Sequence, residues 1–307
     1  MASPESIRIR AELSRASDRG QAPPIAVMRQ EWETAVEAVN RGLRATVTAV
    51  DVNGIPGEWI HTGQTAGEGA ILFFHGGGFN SGSCRTHRAL AAHVATAADL
   101  PVLLIDYRLA PEHPCPAAVE DGIRAYRWLL RQGLSPNRMV FGGDSAGAAL
   151  VMATLGTLRD AGTALPVAAV LLSPWVDLAL AGPSLATHAA VDPLTTRDAL
   201  HRAAELYLAG RDPRDPIASP LYAPLNGLPP LLIQTGGLEI LQSDATRLAE
   251  RAEAAKVPVT VEVWEGMWHV WHAWAAELPE AREALARTGD FIAQHVSSST
   301  HGQTVAP

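Results

Sequence analysis

The chain has 307 residues, of which 47% are hydrophobic, and a formal net charge of −8. Such a chain can bury a substantial core, and its negative charge without any basic run argues against a nucleic acid as partner. No apolar stretch is long enough to span a membrane. Residues 1–19 are polar and lack the apolar segment of a signal peptide, so we expect a soluble, cytoplasmic protein. Cys84 and Cys115 form no C-x-x-C pair, so we expect free thiols rather than a metal site or a disulfide.

The amino-terminal segment predicts helices followed by a hairpin. Residues 1–40 have the pattern of two amphipathic helices, broken at Ala22-Pro23-Pro24. The Asn53-Gly54 pair favours a tight turn and lies between the strand-like segments Thr46–Val52 and Trp59–His61. These segments therefore predict an antiparallel hairpin that opens the sheet.

From residue 71 onward, short apolar strands alternate with helices. The predicted strands are Ile71–His75, Val102–Asp106, Met139–Phe141, Val167–Leu172, Leu231–Thr235 and Val259–Val263. The predicted helices are Arg88–Ala98, Ala117–Arg131, Ala146–Asp160, Asp244–Lys256 and Glu280–His295. This alternation predicts an α/β fold with a mostly parallel central sheet that helices flank on both faces.

A glycine-rich loop follows the first of these strands. Three consecutive glycines in the run His75-Gly76-Gly77-Gly78-Phe79 cost conformational entropy that a purely structural loop rarely needs. Bare backbone N–H groups can approach a substrate carbonyl oxygen closely, which is what an oxyanion hole requires. We therefore expect Gly77 and Gly78 to donate there and His75 to orient the loop. A phosphate-binding loop fits less well, because neither G-x-G-x-x-G nor Gly-Lys-Ser/Thr is present.

The run Gly143-Asp144-Ser145-Ala146-Gly147 fits the nucleophile motif G-x-S-x-G. A strand-like segment precedes the run and an alanine-rich helical segment follows it, which is the context that the motif needs. The sharp turn exposes the serine hydroxyl at the sheet edge and aims the helix N-terminus at it. Ser145 is thus the candidate nucleophile, and the N–H of Ala146 is the third candidate oxyanion donor.

These two motifs, together with Asp106-Tyr107-Arg108-Leu109-Ala110-Pro111-Glu112-His113-Pro114, give the chain a family resemblance. From about Gly69 to His272 it resembles the hormone-sensitive-lipase-like branch of the α/β-hydrolases, the bacterial family IV carboxylesterases. The resemblance implies an α/β-hydrolase fold with a helical cap over the active site.

The cap is assigned to two segments outside the strand–helix alternation. Residues 178–228 are long and rich in Pro and Asp, with one helical stretch near Asp198–Leu208, and loops of that length are usually functional. Together with residues 1–40, this segment resembles the cap that lies over the active site in this family. The hydrolase core is then formed by residues 41–177 and 229–296, and residues 297–307 are predicted to be a disordered tail.

The serine needs a base that an acid holds, and in this fold the chain order is Ser, acid, His. His269 follows the last predicted strand and is the candidate base. His272 and His295 are the alternatives, of which His272 is expected to begin the next helix and His295 lies far along the last one. Glu239 is the candidate acid, although the family more often has Asp-Pro-Leu at this point. Asp244 is the alternative and matches a family position that more often caps the next helix.

Several further residues receive supporting roles. The resemblance indicates that Asp144 braces loops, and we expect the run Asp106-Tyr107-Arg108 to support the oxyanion loop as buried polar groups. Phe79, Asn80 and Trp175 are candidates for lining the substrate pocket.

The predicted function is that of a serine carboxylic-ester hydrolase, which needs no metal and no organic cofactor. The resemblance implies short or medium acyl chains, with a lactone as an alternative substrate and a homodimer as a possible assembly. A small-molecule receptor on the same fold is the alternative class, but relatives of that class lack the base that His269 supplies here. A peptidase would usually carry a large extra domain, for which this chain has no room.

Overall fold

An eight-stranded sheet forms the centre of the computed structural model, which describes residues 2–17, 23–63 and 69–298. The strands are β1 (Thr46–Asp51), β2 (Pro56–His61), β3 (Ala70–Phe74), β4 (Val102–Ile105), β5 (Met139–Asp144), β6 (Ala168–Leu172), β7 (Leu231–Gly236) and β8 (Val259–Trp264). Their spatial order is β1-β2-β4-β3-β5-β6-β7-β8. Strands β1 and β2 pair antiparallel, as do β2 and β4, and all other pairs are parallel. The predicted fold class and the opening hairpin are therefore confirmed.

Ten α-helices connect and cover these strands within the described residues. They are α1 (Pro4–Ser17), α2 (Ile25–Ala35), α3 (Glu37–Arg41), α4 (Cys84–Ala98), α5 (Ala117–Arg131), α6 (Ala146–Asp160), α7 (Ser184–Thr187), α8 (Arg197–Leu208), α9 (Gln242–Ala254) and α10 (Pro279–Ser298). None of the helices described is long and apolar enough to cross a membrane.

Two element boundaries differ from those predicted. Helix α4 begins at Cys84 rather than Arg88, because Ser83 and Thr86 form a capping box in which each side chain accepts the other's backbone N–H. The described part of residues 1–40 contains three helices instead of two, since α2 and α3 are separated at Val36. Of the predicted break at Ala22-Pro23-Pro24, Ala22 lies outside the described residues, and Pro24 is the residue before α2.

Side chains of the buried strands alternate between two cores, one on each face of the sheet. In β3, for example, Leu72 and Phe74 pack in the core with α5 and α6, whereas Ile71 and Phe73 pack in the core with α4 and α10. Burial of both faces explains why these strands are continuous apolar runs. It also leaves the loops at the carboxyl edge of the sheet as the place where polar side chains can gather.

The segment 178–228 departs from the strand–helix alternation, as its composition predicts. It contains α7, α8 and a single 3-10 turn, and the apolar face of α8 is buried against the core that holds α5 and α6. At the other end, α10 continues to Ser298, so the predicted tail cannot begin at 297. The remainder of that predicted tail lies outside the described residues.

Candidate active site

Ser145 lies in the tight turn between β5 and α6, with φ 52° and ψ −120°. Its N–H donates to the carbonyl of Leu172 at 2.9 Å, and its own carbonyl accepts the N–H of Trp175 at 3.1 Å, so the turn is tied to the end of β6. A Cβ at Gly147 would lie 2.0 Å from the carbonyl oxygen of Phe74. Only glycine therefore lets α6 approach β3 this closely, and this is the physical reason for the last glycine of the motif.

Ser145, His269 and Glu239 meet at the carboxyl edge of the sheet. The Oγ atom of Ser145 lies 2.9 Å from Nε2 of His269, and Nδ1 of His269 lies 3.3 Å from Oε2 of Glu239. The serine and the histidine are 8% and 9% exposed, and the glutamate is fully buried. The geometry is that of a nucleophile, a base and an acid that orients the base.

Burial and mutual attraction determine the pKa values of His269 and Glu239. Burial lowers the pKa of His269, but the hydrogen bond and the negative charge of Glu239 outweigh it, so the pKa lies above its ordinary value. Burial raises the pKa of Glu239, which the contact with His269 opposes. The carboxylate therefore favours the imidazolium form, which is the form that a general base passes through.

Asp244, the alternative acid, binds the chain after β6 and makes no hydrogen bond to His269 among the described residues. Its Oδ2 accepts the N–H groups of Val176 and Asp177, each at 2.9 Å. Burial, together with the charge of Asp177, raises the pKa of Asp244 to about 8. This carboxyl therefore braces the chain after β6, although Asp244 itself lies in the first turn of α9.

The two alternative histidines lie elsewhere. Nε2 of His272 lies 3.0 Å from Oε1 of Gln234, and burial lowers the pKa of His272 to about 3, so this imidazole is neutral. It lies in a one-turn 3-10 helix, Trp271–Trp274. His295 lies near the end of α10, where its Nδ1 is 2.8 Å from the carbonyl of Phe291.

The glycine-rich loop presents unpaired N–H groups. A Cβ at Gly77, where φ is +113°, would lie 2.3 Å from the carbonyl oxygen of Ser81, so this position requires glycine. Within the described residues, no hydrogen bond uses the N–H of Gly77, Gly78 or Ala146. All three donors are thus available to a ligand oxygen, as an oxyanion hole requires.

Buried polar groups hold the glycine-rich loop in place by hydrogen bonds to its backbone. Asp144 Oδ1 accepts the N–H of Gly76 at 3.0 Å, and the hydroxyl of Tyr107 donates to the carbonyl of His75 at 2.6 Å. Burial lowers the pKa of His75 to about 3, so it orients the loop as a neutral group, with Nδ1 2.8 Å from the carbonyl of Gly76. Sequence reasoning missed His87, whose Nε2 lies 3.2 Å from the N–H of Gly76.

Two residues that were expected to support the glycine-rich loop, Asp106 and Arg108, contact other elements instead. The carboxylate of Asp106 accepts the N–H of Cys84 at 2.6 Å and so holds the start of α4. The expectation for Arg108 is wrong, because its side chain binds Asp121 and Glu120 on α5 and not the loop. Paired carboxylates on that helix provide a stronger attraction than backbone groups of the loop.

Aromatic side chains surround the site on the side of α8. The ring of Phe79 stacks on Tyr207 with a centroid distance of 4.0 Å and lies 5.4 Å from the ring of Trp175. Asn80 is nearly buried beside them. A Cβ at Gly78 would lie 3.3 Å from the Cβ of Ala203, so α8 lies directly against the glycine-rich loop.

Comparison with known proteins gives consistent matches across the chain. The model of a family described as alpha/beta hydrolase fold matches residues 71–273. An acetyl-hydrolase of Streptomyces hygroscopicus is 45% identical over 294 residues, which cover 95% of this chain and 97% of that protein. A putative acetyl-hydrolase of Mycobacterium tuberculosis, LipR, is 36% identical and covers 85% of this chain and 89% of its own.

Solved structures agree with these sequence relatives. An esterase from the bacterial hormone-sensitive lipase family is 43% identical with a TM-score of 0.91, over 96% of this chain and 99% of that one. The esterase EstE5, in a crystal soaked with p-nitrophenyl butyrate, is 41% identical with a TM-score of 0.92, over 96% of this chain and 100% of that one.

Proposed function

This chain belongs to the alpha/beta hydrolase fold family and is a carboxylic-ester hydrolase of the bacterial hormone-sensitive-lipase type, and from that premise we propose that Ser145, His269 and Glu239 are its catalytic triad. The observation that carries the proposal is the continuous contact from Ser145 Oγ to His269 Nε2 at 2.9 Å and from Nδ1 to Glu239 Oε2 at 3.3 Å.

In the proposed reaction, Ser145 Oγ attacks the ester carbonyl carbon while His269 Nε2 takes the hydroxyl proton. The N–H groups of Gly77, Gly78 and Ala146 bind the oxygen that becomes negative. When the tetrahedral adduct collapses, the alcohol leaves with the proton from His269. A water molecule then gives a proton to His269 and attacks the acyl carbon. When this second adduct collapses, the bond between Ser145 Oγ and the acyl carbon breaks, His269 returns the proton to Oγ, and the carboxylic acid is released.

We propose that the preferred substrates have short acyl chains. Phe79, Trp175 and Tyr207 are each at most 2% exposed and pack against one another beside the nucleophile. The nucleophile itself is only 8% exposed, so little space is open for a long chain. The names of the two acetyl-hydrolase relatives are consistent with this preference.

Initial rates on p-nitrophenyl esters from acetate to palmitate test this preference. We expect the rate to be highest for the esters from acetate to butyrate and to be lower by at least roughly tenfold for palmitate. The reason is that each added methylene group of the acyl chain must fit among the packed rings of Phe79, Trp175 and Tyr207. Equal rates across the series would show that the pocket is open to long chains. No hydrolysis of any ester would contradict the proposed triad.

We also propose that residues 1–40 and 178–228 form a cap over a core of residues 41–177 and 229–296. In the first segment, the guanidinium of Arg29 on α2 donates to the carbonyls of Asn80 and Ala110, at 2.7 and 2.8 Å. It also forms a bidentate pair with Glu112. In the second segment, α8 carries Tyr207 onto the ring of Phe79.

Substituting Arg29→Ala tests the first half of the cap. We expect kcat/KM for p-nitrophenyl butyrate to fall by about 3- to 10-fold, because the carbonyl next to the oxyanion loop loses a charged donor. Arg41→Ala is the matched control, since Arg41 on α3 is 75% exposed and pairs only distantly with Glu37. Equal activity of the two variants would show that α2 does not support the site.

The cytoplasmic location and the homodimer stay predictions. Cell fractionation would test the location. Light scattering of the purified protein would test the assembly, for which the resemblance to the family suggests contact through an edge of the sheet.

A further inference from the structure

Ser173 follows β6 directly and is fully buried. Its backbone has φ +49°, in the left-handed region that serine rarely adopts. The N–H of Ser173 donates to the carbonyl of Gln234 on β7 at 2.7 Å, which holds this conformation. The position is therefore fixed by the sheet, and its side chain points to a defined place.

The hydroxyl of Ser173 contacts two loops at once. It donates to Oε1 of Glu239 at 2.5 Å and accepts the N–H of Val270 at 2.9 Å. Val270 is the residue after His269. A single oxygen atom therefore links the loop that carries the acid to the loop that carries the base.

This link settles which oxygen of Glu239 faces the imidazole. Oε1 accepts two hydrogen bonds, one from Ser173 and one from the N–H of Gly236 at 2.7 Å. Oε2 is left for Nδ1 of His269. With Oε1 held on both sides, the carboxylate cannot rotate away from the base without losing two donors.

We propose that Ser173 is a positioning residue for ester hydrolysis. Its single hydroxyl group fixes the carboxylate of Glu239 and the loop of His269 relative to each other. The proposal rests on the triad proposed above. Ser173 does not touch the reacting atoms, so it acts through Glu239 and His269.

The contact also has an electrostatic consequence. Burial raises the pKa of Glu239, and the bonds from His269, Ser173 and Gly236 oppose this rise. Without the hydroxyl, the carboxylate is more basic and holds the imidazolium proton more tightly. The pH at which His269 becomes a free base should then rise. The other charges that act on His269, those of Asp192 and Asp144, are unchanged by such a substitution.

The experiment compares Ser173→Ala and Ser173→Gly with the wild type. Glycine adopts the left-handed backbone freely, so the Gly variant removes the hydroxyl without strain. Ser219→Ala is the matched control, because Ser219 is equally buried and its hydroxyl likewise has one donor and one acceptor: it accepts the N–H of Leu178 and donates to the carbonyl of Pro213. Rates are divided by the concentration of active sites, titrated with a fluorophosphonate, so that partial unfolding does not count as lost activity.

We expect kcat of both Ser173 variants to fall by about 10- to 100-fold, with KM changed by less than about twofold. The acid limb of the kcat/KM profile should move to higher pH in both. Ser219→Ala should show neither effect.

Wild-type kcat and an unmoved limb in both variants would overturn the role of Ser173. A loss of kcat in Ser219→Ala as large as in Ser173→Ala, with no shift of the limb, would also overturn it, because the effect would then be packing alone. An active Ser145→Ala variant would instead refute the triad on which the proposal rests, so the two failures are distinguishable.

Discussion

Ser145→Ala is expected to lower kcat for p-nitrophenyl acetate by about 10⁴- to 10⁶-fold, because alanine has no hydroxyl with which to form the acyl-enzyme. The fold should be unaffected. Among the residues that the structure describes, the Ser145 side chain hydrogen-bonds only to His269, whereas its N–H and carbonyl, which tie the turn to β6, remain in the alanine variant. Circular dichroism should therefore give a Tm within a few degrees of the wild type, since roughly 1 kcal/mol corresponds to a few degrees in a chain of this size.

The matched control is Ser184→Ala on α7. Ser184 is also buried, and its hydroxyl donates to the carbonyl of Ile240 rather than to His269. Its activity per active site should be close to that of the wild type. Wild-type turnover by Ser145→Ala would refute the mechanism, whereas inactivity of both variants at reduced Tm would point to a shared loss of folding.

The parts of the site that the sequence predicts are those that lie within one short run. Glycine is needed at 76–78, 143 and 147 because the backbone there approaches other atoms closely, and such glycine motifs can be recognised directly in the sequence. The parallel sheet is predicted for a similar reason, since buried strands are apolar runs. His269 and Glu239 were located by their distance behind strands, which works because loops at one sheet edge converge.

Contacts between distant residues were less predictable. Ser173 and Glu239 are 66 positions apart, and Gly76 and Asp144 are 68 apart, so no local pattern reveals either contact. Arg108 was assigned to the wrong partner because a side chain of that length reaches either the loop or α5, and only the structure shows that Asp121 is buried within its reach. A serine before Pro174 gives no signal that distinguishes a support of the triad from an ordinary turn.

The alternative of a receptor that lacks a catalytic base does not fit the structure. The imidazole of His269 lies 2.9 Å from Ser145 Oγ, close enough to accept its proton. The relatives named above are hydrolases as well. The remaining choice concerns the acid, where position alone left both Glu239 and Asp244 open.

Glu239→Gln is expected to lower kcat by about 10³- to 10⁴-fold, because glutamine has no charge to stabilise the imidazolium and its amide can hold the wrong tautomer. The carboxylate raises the pKa of His269 against the effect of burial, so removing it leaves burial to lower that pKa. kcat/KM rises with pH as His269 loses its proton, and the acid limb of the residual activity should therefore move to lower pH. This shift is opposite to the one expected for Ser173→Ala.

Asp244→Asn is the matched control, and a small effect is expected for a physical reason. Burial and the charge of Asp177 raise the pKa of Asp244 to about 8, so this carboxyl is mostly protonated at pH 7 and asparagine resembles it in shape and charge. The amide oxygen can still accept the N–H groups of Val176 and Asp177. We expect kcat within about threefold of the wild type and an unmoved acid limb. If Asp244→Asn were inactive and Glu239→Gln active, the acid would be Asp244, and His269 would have to turn toward it during the reaction.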